Sequence, residues 1–151
     1  MTRIFDKLNL KDQTEILVLN PPQSFEPELA ALTGITVVRE VNQARKMDFV
    51  LAFVTQQEQV DTISKIIAAK AEGDAMVWFV YPKGTSKKYK SSINRDSGWE
   101  IMGKADFERV RLVAIDEDWS ALRFRRVEFI KTMERRESFA QTKDGKAKTK
   151  K

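Results

Sequence analysis

Three short, almost wholly apolar runs constrain this chain more than any other feature. They are Glu15–Leu19 (EILVL), 48–54 (DFVLAFV) and 75–81 (AMVWFVY). Each is too short for a core helix and rich in β-branched or aromatic residues, which is the pattern of a strand buried on both faces. The first run is stopped by Asn20-Pro21-Pro22 and the third by Pro82, because proline cannot continue a central ladder. Between the second and third runs, Val60, Ile63, Ile67 and Ala71 recur at three- and four-residue spacing, so residues 56–72 read as an amphipathic helix stopped at Gly73. Residues 25–32 read as a short helix closed by Gly34, and 36–38 as a weak strand.

The second half continues the alternation. Residues 83–95 form a polar loop. Ser97-Gly98-Trp99-Glu100 has the S-x-x-E spacing of a capping box, which predicts a helix from Ser97 to about 105. Residues 110–115 and 119–127 read as an antiparallel hairpin around the acidic turn Asp116-Glu117-Asp118, although no glycine occupies the usual left-handed position. Strands alternating with helices predict a Rossmann-like α/β fold: a doubly wound, mostly parallel sheet with a C-terminal antiparallel hairpin.

Length and charge complete the frame. At 151 residues and 42% hydrophobic, the chain supports one domain, read as residues 1–133 with a disordered basic tail over 134–151. The formal charge of +5 sits entirely at that end. Residues 131–151 hold eight Lys/Arg and three Asp/Glu, leaving 19 of the 27 bases and 19 of the 22 acids in residues 1–130. There is no cysteine and no histidine. That excludes disulfides, thiol nucleophiles, Cys/His zinc sites and imidazole acid–base chemistry. No apolar run is long enough to span a membrane and no signal-peptide core is present, so the chain reads as cytoplasmic.

The strand 48–54, helix 56–72, strand 75–81, helix 97–105 and hairpin 110–127 together resemble the last half of a class I, S-adenosylmethionine-dependent methyltransferase. The resemblance implies a methyltransferase-like enzyme as one reading. It also implies a glycine-rich turn after the first strand and an acid after the second to hold a ribose. Glu40 is in place for the second role, but no glycine lies between Glu15 and Phe25. Asn20-Pro21-Pro22 is similar to the N/D-P-P-Y/F motif of amino-methyltransferases. That motif follows the fourth strand, however, and carries an aromatic where this chain has Gln23. The words VYPKGTSKKYKSSINRDSGWE and VRLVAIDEDWSALRFRRVEFIK, with LVLNPPQSF, resemble an uncharacterised bacterial group, the domain-of-unknown-function family numbered 3052. That resemblance implies no activity.

The loop is the best functional candidate. Lys83, Lys87, Lys88, Lys90 and Arg95 put five positive charges into it with no acid between Lys83 and Arg95, at what reads as a strand's carboxyl end, where open α/β sheets bind ligands. Gly84, Thr85 and Ser86 add backbone freedom and hydroxyls suited to phosphate, and Tyr89 can stack on a base. The spacing is not that of a P-loop. Trp99, Trp119 and Asp116 flank the same end, the tryptophans being commonly core residues. In the last strand Leu122 and Phe124 face one way, Arg123 and Arg125 the other, either to pair with Asp116, Asp118 or Glu128 or to meet an anion or partner. No nucleophile–base pair stands at recognisable spacing, so no catalytic centre, cofactor or metal is called for. The sequence therefore predicts a small binding module for an anionic or phosphorylated ligand. A divergent methyltransferase-like enzyme and non-specific nucleic-acid binding through loop and tail are the alternatives, and no oligomeric state is assigned.

Overall fold

A computed structural model of the chain describes residues 3–45, 47–94 and 97–130; the expected tail and Arg95 lie outside them. In chain order the elements are α1 (Arg3–Lys7), β1 (Glu15–Leu19), α2 (Glu26–Ala30), β2 (Thr36–Val38), β3 (Phe49–Phe53), α3 (Gln57–Lys70), β4 (Met76–Pro82), α4 (Glu100–Lys104), β5 (Phe107–Ala114) and β6 (Trp119–Arg126). The six strands form one sheet in the order β2-β1-β3-β4-β6-β5. The pairings β2–β1–β3–β4 are parallel. β6 runs antiparallel to both β4 and β5 and is the one reversed strand among the described residues. This is the expected Rossmann-like α/β fold, with the hairpin's second strand inserted next to β4 and its first strand at the edge.

All residues of β3 and β4 are buried, which is why both read as continuous apolar runs rather than alternating ones. Their alternate side chains feed two cores. One face, with Val50, Ala52, Val77, Phe79 and Tyr81, packs against α3 and α4. The other, with Phe49, Leu51, Phe53, Trp78 and Val80, packs against α1, α2 and the segment through Leu10. α1 has no counterpart in the sequence reading. Ile4, Phe5 and Leu8 are buried on the second face, and the Leu8 carbonyl accepts the Trp78 indole N–H at 3.0 Å.

The chain leaves β1 and crosses to β2 on one side, then to β3 on the other, so the winding direction switches between β1 and β3. Among the described residues of the return from β2 to β3, the 3-10 turn Val41–Gln43 stands where a crossover helix is usual. Val41, Ala44 and Met47 supply the apolar cover there.

Two local expectations are corrected. The capping box at Ser97 does not form: the Ser97 N–H and hydroxyl both engage the Asn94 side-chain oxygen, and Gly98 takes φ +99°, so α4 begins only at Glu100. β5 starts at Phe107, three residues earlier than read, because its register shifts between Arg109 and Arg111 and breaks the alternation. The hairpin turn needs no glycine, since none of its residues has positive φ. The Asp116 carboxylate closes it by accepting the N–H groups of Asp118 and Trp119 at 2.8 and 2.9 Å. No helix among the described residues is long and apolar enough to cross a membrane.

Candidate functional site: an anchored basic loop at the end of β4

The segment after β4 lies between the carboxyl end of β3 and the amino end of the antiparallel β6, and is tied to both sides. On one side the Lys83 N–H donates to the Asp118 carbonyl at 2.8 Å, and the Ser86 hydroxyl donates to the Asp118 carboxylate at 2.8 Å. Ser86 Oγ also accepts the Tyr89 N–H. The Tyr89 ring then packs on Trp119 with centroids 4.8 Å apart. On the other side the Ser92 N–H donates to the Thr55 carbonyl beyond β3, and Ser92 Oγ accepts the Gln57 N–H at the start of α3. The loop's far end is locked by Gln57, whose amide donates to the Gly98 carbonyl at 2.8 Å and to Asp61 at 3.0 Å. These tethers join residues 32 to 41 positions apart, so this is a positioned loop and not a freely solvated one.

A cavity of about 620 Å³ opens at this end of the sheet. Tyr81 and Ser120, partners in the β4–β6 register, line it together with Lys83, Gly84, Thr85, Asn94 and Ser97. A second cavity of about 530 Å³ shares Lys83 and Gly84 and is lined further along by Ser86, Tyr89, Lys90 and Ser91. Lys87, Lys88 and Lys90 are exposed and Lys83 is half-buried; none of the four makes an ion pair among the described residues. The Lys88 ammonium lies 5.6 Å from the Tyr89 ring.

The structure thus brings together Lys83, Gly84, Thr85, Ser86, Tyr89 and Lys90 around the two cavities, and adds Ser91, Asn94, Ser97, Tyr81 and Ser120; Lys87 and Lys88 are exposed on the same loop and line neither cavity. Three expectations change. Trp99 is 1% exposed, packs on Phe79, Tyr81 and Phe124, and donates its indole N–H to the Asn94 carbonyl at 2.7 Å. It belongs to the core and holds the loop's end without lining the cavity. Asp116 serves the hairpin turn through its carboxylate and lines neither cavity. Tyr89 already has an aromatic partner in Trp119, against which its ring is tilted. Trp119 is core as expected, against Phe53. Arg95 lies outside the described residues.

The winding switch makes a second place to look, because open sheets bind ligands in that crevice. Past β1 stand Asn20, at φ +55°, then Pro21 and Pro22, which have no N–H. Gln23–Phe25 follow as a 3-10 turn. Glu26, opening α2, is paired with Arg39, just past β2, through two bonds of 2.7 and 2.9 Å. Hydrogen bonding to that guanidinium lowers the Glu26 carboxyl pKa, and the same bonds raise that of Arg39. The pair therefore links the exits of β1 and β2. A cavity of about 320 Å³ at this point is lined by Asn20 and by Glu58, Gln59, Thr62 and Ile63 of α3.

The sequence matches no protein-family model and no curated protein. Solved structures do match the fold. A SAM-dependent methyltransferase from Aquifex aeolicus aligns over 83% of this chain and 88% of its own, with a TM-score of 0.53 and 13% identity. The fibrillarin pre-rRNA processing protein of Methanococcus jannaschii aligns over 76% of this chain and 67% of its own, at TM-score 0.50 and 13% identity. The chain therefore has a methyltransferase-like fold.

Proposed function

We propose that this domain is a binding module, on a methyltransferase-like sheet, for a phosphorylated or otherwise anionic ligand received at the carboxyl end of β4. The observation that carries this reading is the set of four lysines without ion pairs on a loop whose backbone is tethered to β6's entrance and to the start of α3. Ammonium donors make strong charge-assisted hydrogen bonds to phosphate oxygens. A loop already held in place also loses little conformational freedom on binding. Calorimetric titration with inorganic pyrophosphate tests the reading. Replacing Lys83, Lys87 and Lys88 together by Glu abolishes measurable binding; unchanged affinity overturns it.

The fold likeness favours a second reading, S-adenosylmethionine-dependent methyl transfer, and supports it more directly than it supports a binding module. The residues at the winding switch do not fit that cofactor well. Two successive prolines remove N–H donors where a nucleoside ligand needs close backbone approach, and no glycine lies between Glu15 and Gly34. The Glu26–Arg39 pair spans the two strand exits, although Glu40 remains exposed beside it. That local geometry is why the loop is preferred. S-adenosylmethionine in hundredfold excess over its Kd would stabilise a cognate protein by about 2.7 kcal/mol. A melting temperature raised by this cofactor and unmoved by pyrophosphate would establish the second reading in place of the first.

A further inference from the structure

The sheet face that β6 and β5 present alongside Trp78 carries a like-charge arrangement that the loop site does not use. In register, Arg123 of β6 stands between Trp78 of β4 and Arg111 of β5, so the three side chains share one face in a row across the sheet. Arg125 follows on the same face two residues on. Of the acids expected to neutralise Arg123, Asp116 and Asp118 lie at the turn, at the far end of the hairpin, and Glu128 lies past the end of β6. Glu108, buried on the same face, stands opposite Arg125 in the register and not opposite Arg123. Asp74 is engaged with Arg125 instead, through both carboxylate oxygens at 2.8 and 2.6 Å. Neither Arg111 nor Arg123 forms an ion pair among the described residues. The Arg123 Nε is buried and has no hydrogen-bond partner there. Burial lowers the Arg123 pKa, with the charges of Arg125 and Arg111 acting the same way and Asp74 opposing. A guanidinium nevertheless keeps its charge. Folding thus sets two cations directly opposite each other, an unfavourable cross-strand pair, and leaves a buried donor unmet. Protection of a sheet edge requires only an outward charge and explains neither feature.

We infer that Arg111 and Arg123 form a second anion site, distinct from the loop, whose ligand is a phosphate group bridging the two guanidinium forks. Two guanidinium forks present two N–H donors each, and the four oxygens of a free phosphate, or the two non-bridging oxygens of a phosphodiester, can accept from both forks at once. The group is carried either by a free phosphate or by the backbone of a nucleic-acid strand.

The test is thermal unfolding of the full chain in the Lys83→Glu, Lys87→Glu, Lys88→Glu background, so that failure of the loop site and failure of this one are separate results. Inorganic phosphate, compared with chloride at matched ionic strength, raises the melting temperature saturably. Arg123→Met removes that rise and melts higher than its parent in chloride, because the cross-strand repulsion is gone. Lys104→Met, the same charge change on α4, keeps the rise. A twelve-residue oligothymidylate distinguishes the sources. Binding that Arg123→Met abolishes assigns the phosphate to a nucleic-acid strand, and a phosphate response without oligonucleotide binding assigns it to a free phosphate. No phosphate response in the parent, or a response that survives Arg123→Met, overturns the inference.

Discussion

Gly98 offers a sharp test of whether the loop is held as described. It takes φ +99°, and a Cβ there would stand 2.7 Å from Gln57 Oε1 and 2.8 Å from Ile93 Cγ2. Gln57 is a flexible side chain, but its amide is already committed to the Gly98 carbonyl and Asp61, and Ile93 is buried and β-branched. Gly98→Ala therefore combines strain at a positive φ, about 1–3 kcal/mol, with overpacking of roughly 1–3 kcal/mol. The expected loss is about 2–6 kcal/mol, a large share of the ~5–15 kcal/mol that holds a domain together. At roughly 2–4 °C per kcal/mol for a domain of this size, the melting temperature falls by about 4–24 °C. Gly84→Ala is the internal control. A Cβ at Gly84 meets nothing within 4 Å and its φ is not positive, so the change stays within about 0.5 kcal/mol. Urea unfolding of the two variants reads both. Equal stabilities would refute the claim that the loop's far end is locked through Gly98 and Gln57.

Other perturbations check separate parts of the structure. Trp99→Ala empties the contact among Phe79, Tyr81 and Phe124 and removes the anchor on Asn94, costing about 3–5 kcal/mol in denaturant unfolding; a loss below 1 kcal/mol would place the indole outside the core. The Glu26 carboxyl titrates below its ordinary range because Arg39 bonds to its charged form, so the pair's contribution is present above the unfolded carboxyl pKa and is lost as pH falls through the folded one. Carboxyl NMR titration should return Glu26 toward its ordinary value in Arg39→Gln, and an unshifted wild-type Glu26 contradicts the pairing. A double-mutant cycle on Asp74 and Arg125, both about a third exposed, should give a coupling of about 0.2–1 kcal/mol that shrinks with salt; a salt-insensitive coupling would mean that the pair is buried.

Much of the sheet was legible because burial on both faces leaves an unmistakable pattern. Phe49–Phe53 and Met76–Pro82 are continuous apolar runs for that reason, and Thr36–Val38 falls where it was read. α1 was missed although its signal was present. Ile4, Phe5 and Leu8 have helical spacing, but five residues between polar ends give too short a periodic window. Strand order was out of reach, since apolar runs do not encode their neighbours. The Ser97 cap failed because the same hydroxyl had a nearer use at Asn94, a competition between local hydrogen bonds that spacing alone does not reveal. At the site, the lysines were visible as charge. Their anchoring was not, because Ser86–Asp118 and Ser92–Thr55 are tertiary contacts between segments far apart in sequence. Trp99 and Asp116 were drawn toward the ligand by position, while core packing and the hairpin turn account for them.

The central claim is that this methyltransferase-like fold uses the end of β4, and not its winding switch, to hold an anion. Backbone amide shift mapping of the full chain, with inorganic pyrophosphate and separately with S-adenosylmethionine, tests it most directly. The account predicts pyrophosphate-induced shifts over Lys83–Asn94 and at Ser120, and no S-adenosylmethionine-induced shifts at Asn20, Gln23 or Glu40. Shifts at Asn20, Gln23 and Glu40 with the cofactor, together with an unmoved 83–94 loop in pyrophosphate, would contradict it.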